Sequence, residues 1–290
     1  MVAVVRRALK TREVGHAGTL DPMATGALVL AIGEATKLVP YLTDAAKEYE
    51  ARIALGSETD TLDAMGKVVA EREIDRELRA ALGAATQPLP PAIQTAVDAE
   101  IARTSQTPPS YSAIHTDGER AYAKARRGET VVLEARPVRV HELVVTAMSS
   151  EEAFLEVTVK ADKGYYVRSL ARDLAHGLGT LGHLTALRRI DSGGFSIASA
   201  LPLHSPREAL AERIISLPEA ARRALPALVL TDEGVREARF GRRVPFELLA
   251  SGEARDVPSA WFDQAGVLVA IGVWEENGGR VLRGFHPPEG

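Results

Sequence analysis

The chain has no cysteine among its 290 residues. Disulfides and thiolate-bound metals are therefore excluded, and a cytoplasmic setting fits. No apolar run reaches membrane-spanning length. The opening Met1-Val2-Ala3-Val4-Val5-Arg6-Arg7 lacks the long apolar core and cleavage pattern of a secretory signal. The chain also lacks a G-x-G-x-x-G after a strand, a G-x-x-x-x-G-K-(S/T) and any H-E-x-x-H or Cys/His set, so neither a nucleotide cofactor nor a metal is expected. Nor is there an excess of positive charge: 35 Lys and Arg stand against 39 Asp and Glu, for a formal net charge of −4. That excludes only a uniformly basic surface. A nucleic-acid partner would need its positive charge gathered on one face. Arg6, Arg7, Lys10 and Arg12 form one candidate cluster. Arg120, Lys124, Arg126 and Arg127 form a second, and Arg188 with Arg189 a third. Taken singly, each such cluster is more often the solvated face of a helix than a phosphate contact.

What is present is an ordinary globular composition, 46% apolar and 26% charged. The length suits one large domain or two unequal ones. One stretch organises the rest: Val14-Gly15-His16-Ala17-Gly18-Thr19-Leu20-Asp21-Pro22-Met23-Ala24-Thr25-Gly26. Its glycines and proline predict a loop with special backbone geometry. The wholly apolar Ala27–Ile32 that follows predicts a strand buried on both faces. Loops carried by rigid buried elements are where catalytic groups sit. This one offers a carboxylate, Asp21, biased to an extended conformation by Pro22, and an imidazole, His16. An Asp-Pro turn in which Asp21 merely caps a backbone group is the alternative.

Val2, Val5 and Leu9 share a face of a predicted helix, residues 2–10. Residues 34–46 read as a second helix, interrupted by Pro40. Residues 47–56 alternate, with Tyr49, Ala51, Ile53 and Leu55 on one face and Glu48, Glu50 and Arg52 on the other: a half-buried strand. Thr59-Asp60-Thr61-Leu62-Asp63-Ala64-Met65-Gly66 is a polar loop without calcium-loop spacing, which favours turn capping. Residues 75–83 read as a helix and 119–127 as a basic one, while Pro88-Leu89-Pro90-Pro91 breaks the chain. Residues 138–147 and 153–161 read as paired strands. Lys163 to Leu174 reads as a strand end running into a helix. Ser205-Pro206-Arg207-Glu208 has the spacing of a capping box. Beyond Pro226, a helix over 231–240 and three strands with Gly-rich turns suggest a compact β module.

Gly15-His16-Ala17-Gly18-Thr19-Leu20-Asp21-Pro22-Met23-Ala24-Thr25-Gly26 resembles the GH(T/A)G(T/A)LDPxATG signature of the TruB family, which makes pseudouridine at tRNA position 55. Lys163-Gly164-Tyr165-Tyr166-Val167-Arg168-Ser169-Leu170, continuing to Asp173-Leu174, is similar to the family's KG-(T/Y)-Y-(I/V)-R-(T/S)-L-x-x-D-L. Pro108 to Tyr122 resembles its P-x-x-SA-(L/I)-K-x-x-G-x-(R/K)-x-Y, with His115 where the family carries lysine. Histidine is largely neutral near pH 7, so a grip on RNA through that lysine does not carry over. The resemblance implies an α+β pseudouridine synthase fold, with a mixed, mostly antiparallel sheet flanked by helices, and a small PUA-like C-terminal β domain. The expected division is 1–222 for the catalytic domain and 223–290 for the tail. Asp21 would be the catalytic aspartate, Arg168 its ion-pair partner, and Tyr166 a neighbour of the target base. Leu187 would line the pocket, Asp63 would help build it, and His16 would enter the RNA fold as the base leaves. The implied partner is the TΨC stem-loop of tRNA, met by a monomer.

Family members usually begin with a strand and loop resembling (L/V)-x-(D/N)-K-P-x-G-x-(T/S)-S, and this sequence opens within the helix that follows. A missing strand would expose a sheet edge. A start codon assigned too late is the preferred explanation over a less stable or inactive chain.

Uridine-to-pseudouridine isomerisation breaks a C–N bond, turns the base and forms a C–C bond with no redox change, so no cofactor is required. Burial disfavours a charged carboxylate, and a facing guanidinium opposes that and sets its direction. Tyr49 offers a flat face for the uracil and a phenol near the C5 proton. Two other readings remain open at this level. One is a non-catalytic tRNA-binding or folding factor on the same scaffold. The other is an aspartate-dependent glycosidase or nuclease using Asp60 or Asp63 as second carboxylate.

Overall fold

The computed structural model describes residues 1–286 except 113, 117, 118, 128 and 130. For 115, 116, 120, 123, 125 and 126 it describes the backbone alone. The organising element is the strand Lys47–Leu55, the centre of a six-stranded sheet. Phe154–Ala161 flanks it on one side, with Val140–Ser149 at the edge beyond. Gly182–Ser192 flanks it on the other, followed by Phe195–Ser196. All these pairings are antiparallel. The two-residue strand Thr25–Gly26 joins Gly182–Ser192 in parallel, which makes the sheet mixed.

The alternation in Lys47–Leu55 survives folding: Ala51, Ile53 and Leu55 are buried, and Glu50 is exposed. Against this apolar face lie the helices Pro91–Ile101 and Val167–Gly177. Ile93, Ala96, Val97, Leu170, Ala171 and Leu174 pack on Ile53, Leu155, Val157 and Leu184. Close approach needs glycine at one point: a Cβ on Gly182 would meet the Ala175 Cβ at 2.6 Å.

A second sheet occupies the C-terminal region in the order Leu249–Ser251, Ala227–Leu230, Pro258–Phe262, Leu268–Glu275, Gly278–Gly284. Trp261 and Trp274 meet edge to face at 5.3 Å in its core, and the Trp261 indole donates to Ser259 Oγ. The expected β module is therefore present. The sequence-level boundary at 222/223 lies inside the helix Leu217–Ala224. Around that helix the two regions share apolar packing: Ala17, Leu38 and Leu42 join Ala221, Phe262, Leu268 and Ile271 in one cluster.

Several local expectations are corrected. Only Leu30–Ile32 of the apolar run is a strand, and Leu30 and Ile32 are half-buried because their strand pairs solely with Val14–His16. Residues 34–46 divide into a 3₁₀ turn, Gly33–Leu38, and a helix, Val39–Asp44, with Pro40 in its first turn, where the lost N–H costs nothing. The Ser205 capping box does not form; Pro206 precedes the helix Arg207–Glu212 and no side chain caps it.

Gly26 shows why the loop needs glycine. Its φ is +101°, and a Cβ there would lie 2.2 Å from the Arg189 carbonyl oxygen. Gly26→Ala combines a left-handed backbone with a backbone collision. It is expected to cost about 2 kcal/mol or more of stability, read as a lowered midpoint in urea unfolding.

Candidate active site

Asp21 sits in a tight turn, closed by the Ala24 amide donating to the Asp21 carbonyl at 2.9 Å. Its carboxylate is about one-third exposed and faces Arg168 on the first turn of the helix Val167–Gly177. Arg168 Nε donates to Asp21 Oδ2 at 2.8 Å and Nη2 to Oδ1 at 3.2 Å, a bidentate pair across 147 residues of chain. The guanidinium is itself buried. Nη1 donates to the carbonyls of Thr61 and Tyr111 at 3.2 and 3.1 Å. Asp63 Oδ2 lies 3.7 Å from Nε. One arginine thus faces two carboxylates, and the three groups are held in fixed directions.

Asp63 is oriented from its own side. Oδ1 accepts from Thr61 Oγ1 at 2.7 Å and from the Met65 amide at 2.9 Å. The turn-capping and site-building readings of Asp63 both describe it. Asp60 caps the hairpin, accepting from the Lys67 amide, and its Oδ2 accepts from the Tyr111 hydroxyl at 3.5 Å. Among the described residues no group of acidic or histidine side chains has the form of a metal site.

Tyr49 stands opposite Arg189 in the register of the sheet. Burial pushes its phenol above the usual range, while the nearby Arg189 guanidinium pulls the other way and Asp21 adds to the rise. Tyr166 caps the Arg168 helix with its backbone. Its amide donates to Gln106 Oε1 and its carbonyl accepts from Gln106 Nε2. Burial raises its phenol too, with Arg168 and Asp21 within electrostatic reach. Leu187 is 6% exposed, belongs to the main core, and also lines a cavity of about 590 Å³ with Met23, Thr25, Glu50 and Thr158. His16 is not in the Asp21 turn but ends the strand Val14–His16. Its side chain is exposed and has no hydrogen-bond partner among the described residues. The side chain of His115 lies outside the described residues.

Sequence reasoning missed Arg189. Paired with Arg188 it read as a solvated or RNA-facing surface, yet only Arg188 is exposed; Arg189 is 1% exposed. A strand period through Leu187 places residue 189 on the same, inward face, which was the available signal.

The conserved-domain pattern of TruB family pseudouridylate synthases, N-terminal domain, matches residues 6–167. The chain belongs to the TruB family. Relatives named tRNA pseudouridine synthase B include those of Arthrobacter sp. (strain FB24), 42% identical over 93% of this chain and 87% of its own, and Thermobifida fusca (strain YX), 44% identical over 84% and 81%. The chain is accordingly a pseudouridine synthase, and its α+β fold is that of the class. Its structure superposes on one in a Cbf5–Nop10–Gar1 complex with a TM-score of 0.75, covering 99% of this chain and 80% of that one at 22% identity.

Lys47 lies close under the loop: its Cε would be 3.7 Å from a Cβ at Gly18. Burial, reinforced by the nearby Arg189 charge, lowers its pKa from 10.5 to about 8. The unfolded chain then holds more protons than the folded one between these values. Stability contributed by this group therefore rises as pH goes from about 8 to 10.5. The Lys47 ammonium donates to the Thr43 and Ala45 carbonyls, so Lys47→Met gives up those bonds as it removes the charge; the variant is expected to lose the rise in stability between about pH 8 and 10.5, measured by unfolding across the pH range.

Proposed function

We propose that this TruB-family enzyme isomerises uridine 55 in the TΨC arm of tRNA, with Asp21 as its essential catalytic group. The supporting observation is the Asp21–Arg168 fork beside Tyr49 and Tyr166. The carboxylate is aimed by two hydrogen bonds and partly open, while aromatic side chains stand within its electrostatic reach. The names of the relatives, tRNA pseudouridine synthase B, support tRNA as substrate.

The reaction breaks N1–C1′, turns the uracil and forms C5–C1′, after which C5 gives up its proton. Asp21 is the nucleophile or base at the sugar or base. Arg168 holds it in place, and Asp63, 3.7 Å from the same Nε, helps to hold Arg168. Tyr49 and Tyr166 flank the uracil, Leu187 packs beside it, and the Tyr49 phenol helps move the C5 proton. The target base is stacked in a folded arm and must first be extruded, at a cost of a few kcal/mol. His16, exposed at the end of its strand, enters the space that the base leaves.

Two outcomes test this reading. Asp21→Asn is expected to lower tritium release from C5-labelled uridine in an unmodified tRNA transcript by at least about three orders of magnitude, with tRNA still bound. Release from a transcript whose only labelled uridine lies outside position 55 would overturn the assigned site. Asp63→Asn, which leaves the Arg168 guanidinium one charge short, is expected to lower the single-turnover rate by about 10- to 100-fold while tRNA affinity holds. Equal losses in rate and affinity would remove Asp63 from the site.

A further inference from the structure

Among the described residues Arg189 is the more deeply buried of two buried arginines, at 1% exposure, and no carboxylate there lies within ion-pair distance of it. Burying a guanidinium without a counter-charge is costly, and an apolar side chain of the same volume would be cheaper. Its partners are all neutral and all belong to the loop or to Tyr49. Nε donates to the Ala27 carbonyl at 2.8 Å and Nη2 to the Gly18 carbonyl at 3.2 Å, so one planar group grips the chain before and after Asp21. The backbone repeats the connection: the Ala27 amide donates to the Arg189 carbonyl at 2.8 Å, Gly26 pairs with Arg189 in parallel, and Tyr49 pairs with it antiparallel. Cross-strand pairing puts the Arg189 and Tyr49 side chains on one face of the sheet, and the guanidinium opposes the rise that burial gives the Tyr49 phenol.

We propose that Arg189 is a positioning residue of the synthase: its one guanidinium locks both ends of the Asp21 loop and the Tyr49 phenol into a single arrangement, so that carboxylate and phenol converge on the same base. The inference rests on the roles given above to Asp21 and Tyr49. The fork geometry matters, because an ammonium is a point donor and cannot reach Gly18, Ala27 and Tyr49 from one stem. Misplacement of a catalytic group by about 1 Å can cost on the order of 100-fold in rate. Arg189 reaches the uracil only through the Asp21 loop and the Tyr49 phenol, so its loss acts through their position.

The test compares Arg189→Met and Arg189→Lys in the full chain, alone and with Tyr49→Phe. The single-turnover rate on the tRNA transcript is expected to fall by about 100-fold in both single variants, with melting temperature and tRNA affinity near those of the unaltered protein. In combination with Tyr49→Phe the losses are expected to be smaller than their product. Arg189→Lys keeps charge and most of the volume, and it decides the matter should Arg189→Met not fold. A folded variant with full rate, or fully multiplicative losses, overturns the assignment. A second readout does not depend on the RNA chosen. Carbon-labelled tyrosine NMR titration is expected to show the Tyr49 phenol moved upward in Arg189→Met, since the cation that opposes its burial is gone while Asp21 still faces it. An unmoved Tyr49 titration overturns the proposal even if the tRNA reading fails.

Discussion

The structure of the site depends on the fork between Arg168 and Asp21. A carboxylate in a turn that is part exposed and part enclosed has no fixed direction of its own. The guanidinium supplies it, and is itself held by the Thr61 and Tyr111 carbonyls and by Asp63. Four segments of the site meet through this one side chain: the Asp21 turn, the Thr59–Gly66 hairpin loop, the stretch around Tyr111 and the Val167–Gly177 helix. The helix can present Arg168 there because Leu170, Ala171 and Leu174 anchor its opposite face on the central sheet.

A second buried cation works from beneath. Arg168 faces the reactive side of the Asp21 turn, and Arg189 grips its two ends. The upper cation has carboxylate partners, and the lower one has only carbonyls and a phenol. This division suits the two tasks. A forked cation fixes the direction of a carboxylate, while neutral acceptors leave a cation free to polarise what it touches. Lys47, close by, has its charge disfavoured by burial and by Arg189. The base of the loop is thus a place where positive charge is concentrated at a cost in stability.

Much of the site was legible in the sequence, because its parts are local. The glycines around Asp21, the alternation from Lys47 to Leu55 and the run from Lys163 to Leu174 each announce a turn, a strand and a strand-to-helix step within a dozen residues. The short apolar segment Ala27–Ile32 was less so. Its pattern carries no period, and how much of it pairs is decided by its neighbours. Arg189 was misread for a related reason: beside Arg188 it looks like a surface pair, and only the strand register turns one outward and the other inward. The boundary between the two regions blurred because Leu217–Ala224 packs on both, and no composition shift marks a shared core.

The sequence by itself determined the family, the α+β class and the candidate site residues, since these reside in short motifs whose residues constrain one another directly. Tertiary structure alone decided which of those groups meet. Asp21 and Arg168 are 147 residues apart, and the Asp60–Asp63 loop could have capped a turn and done nothing more. Their convergence follows from the order of strands in one sheet and from the helix packed across it. That order is set by burial over the whole chain, which no local pattern encodes.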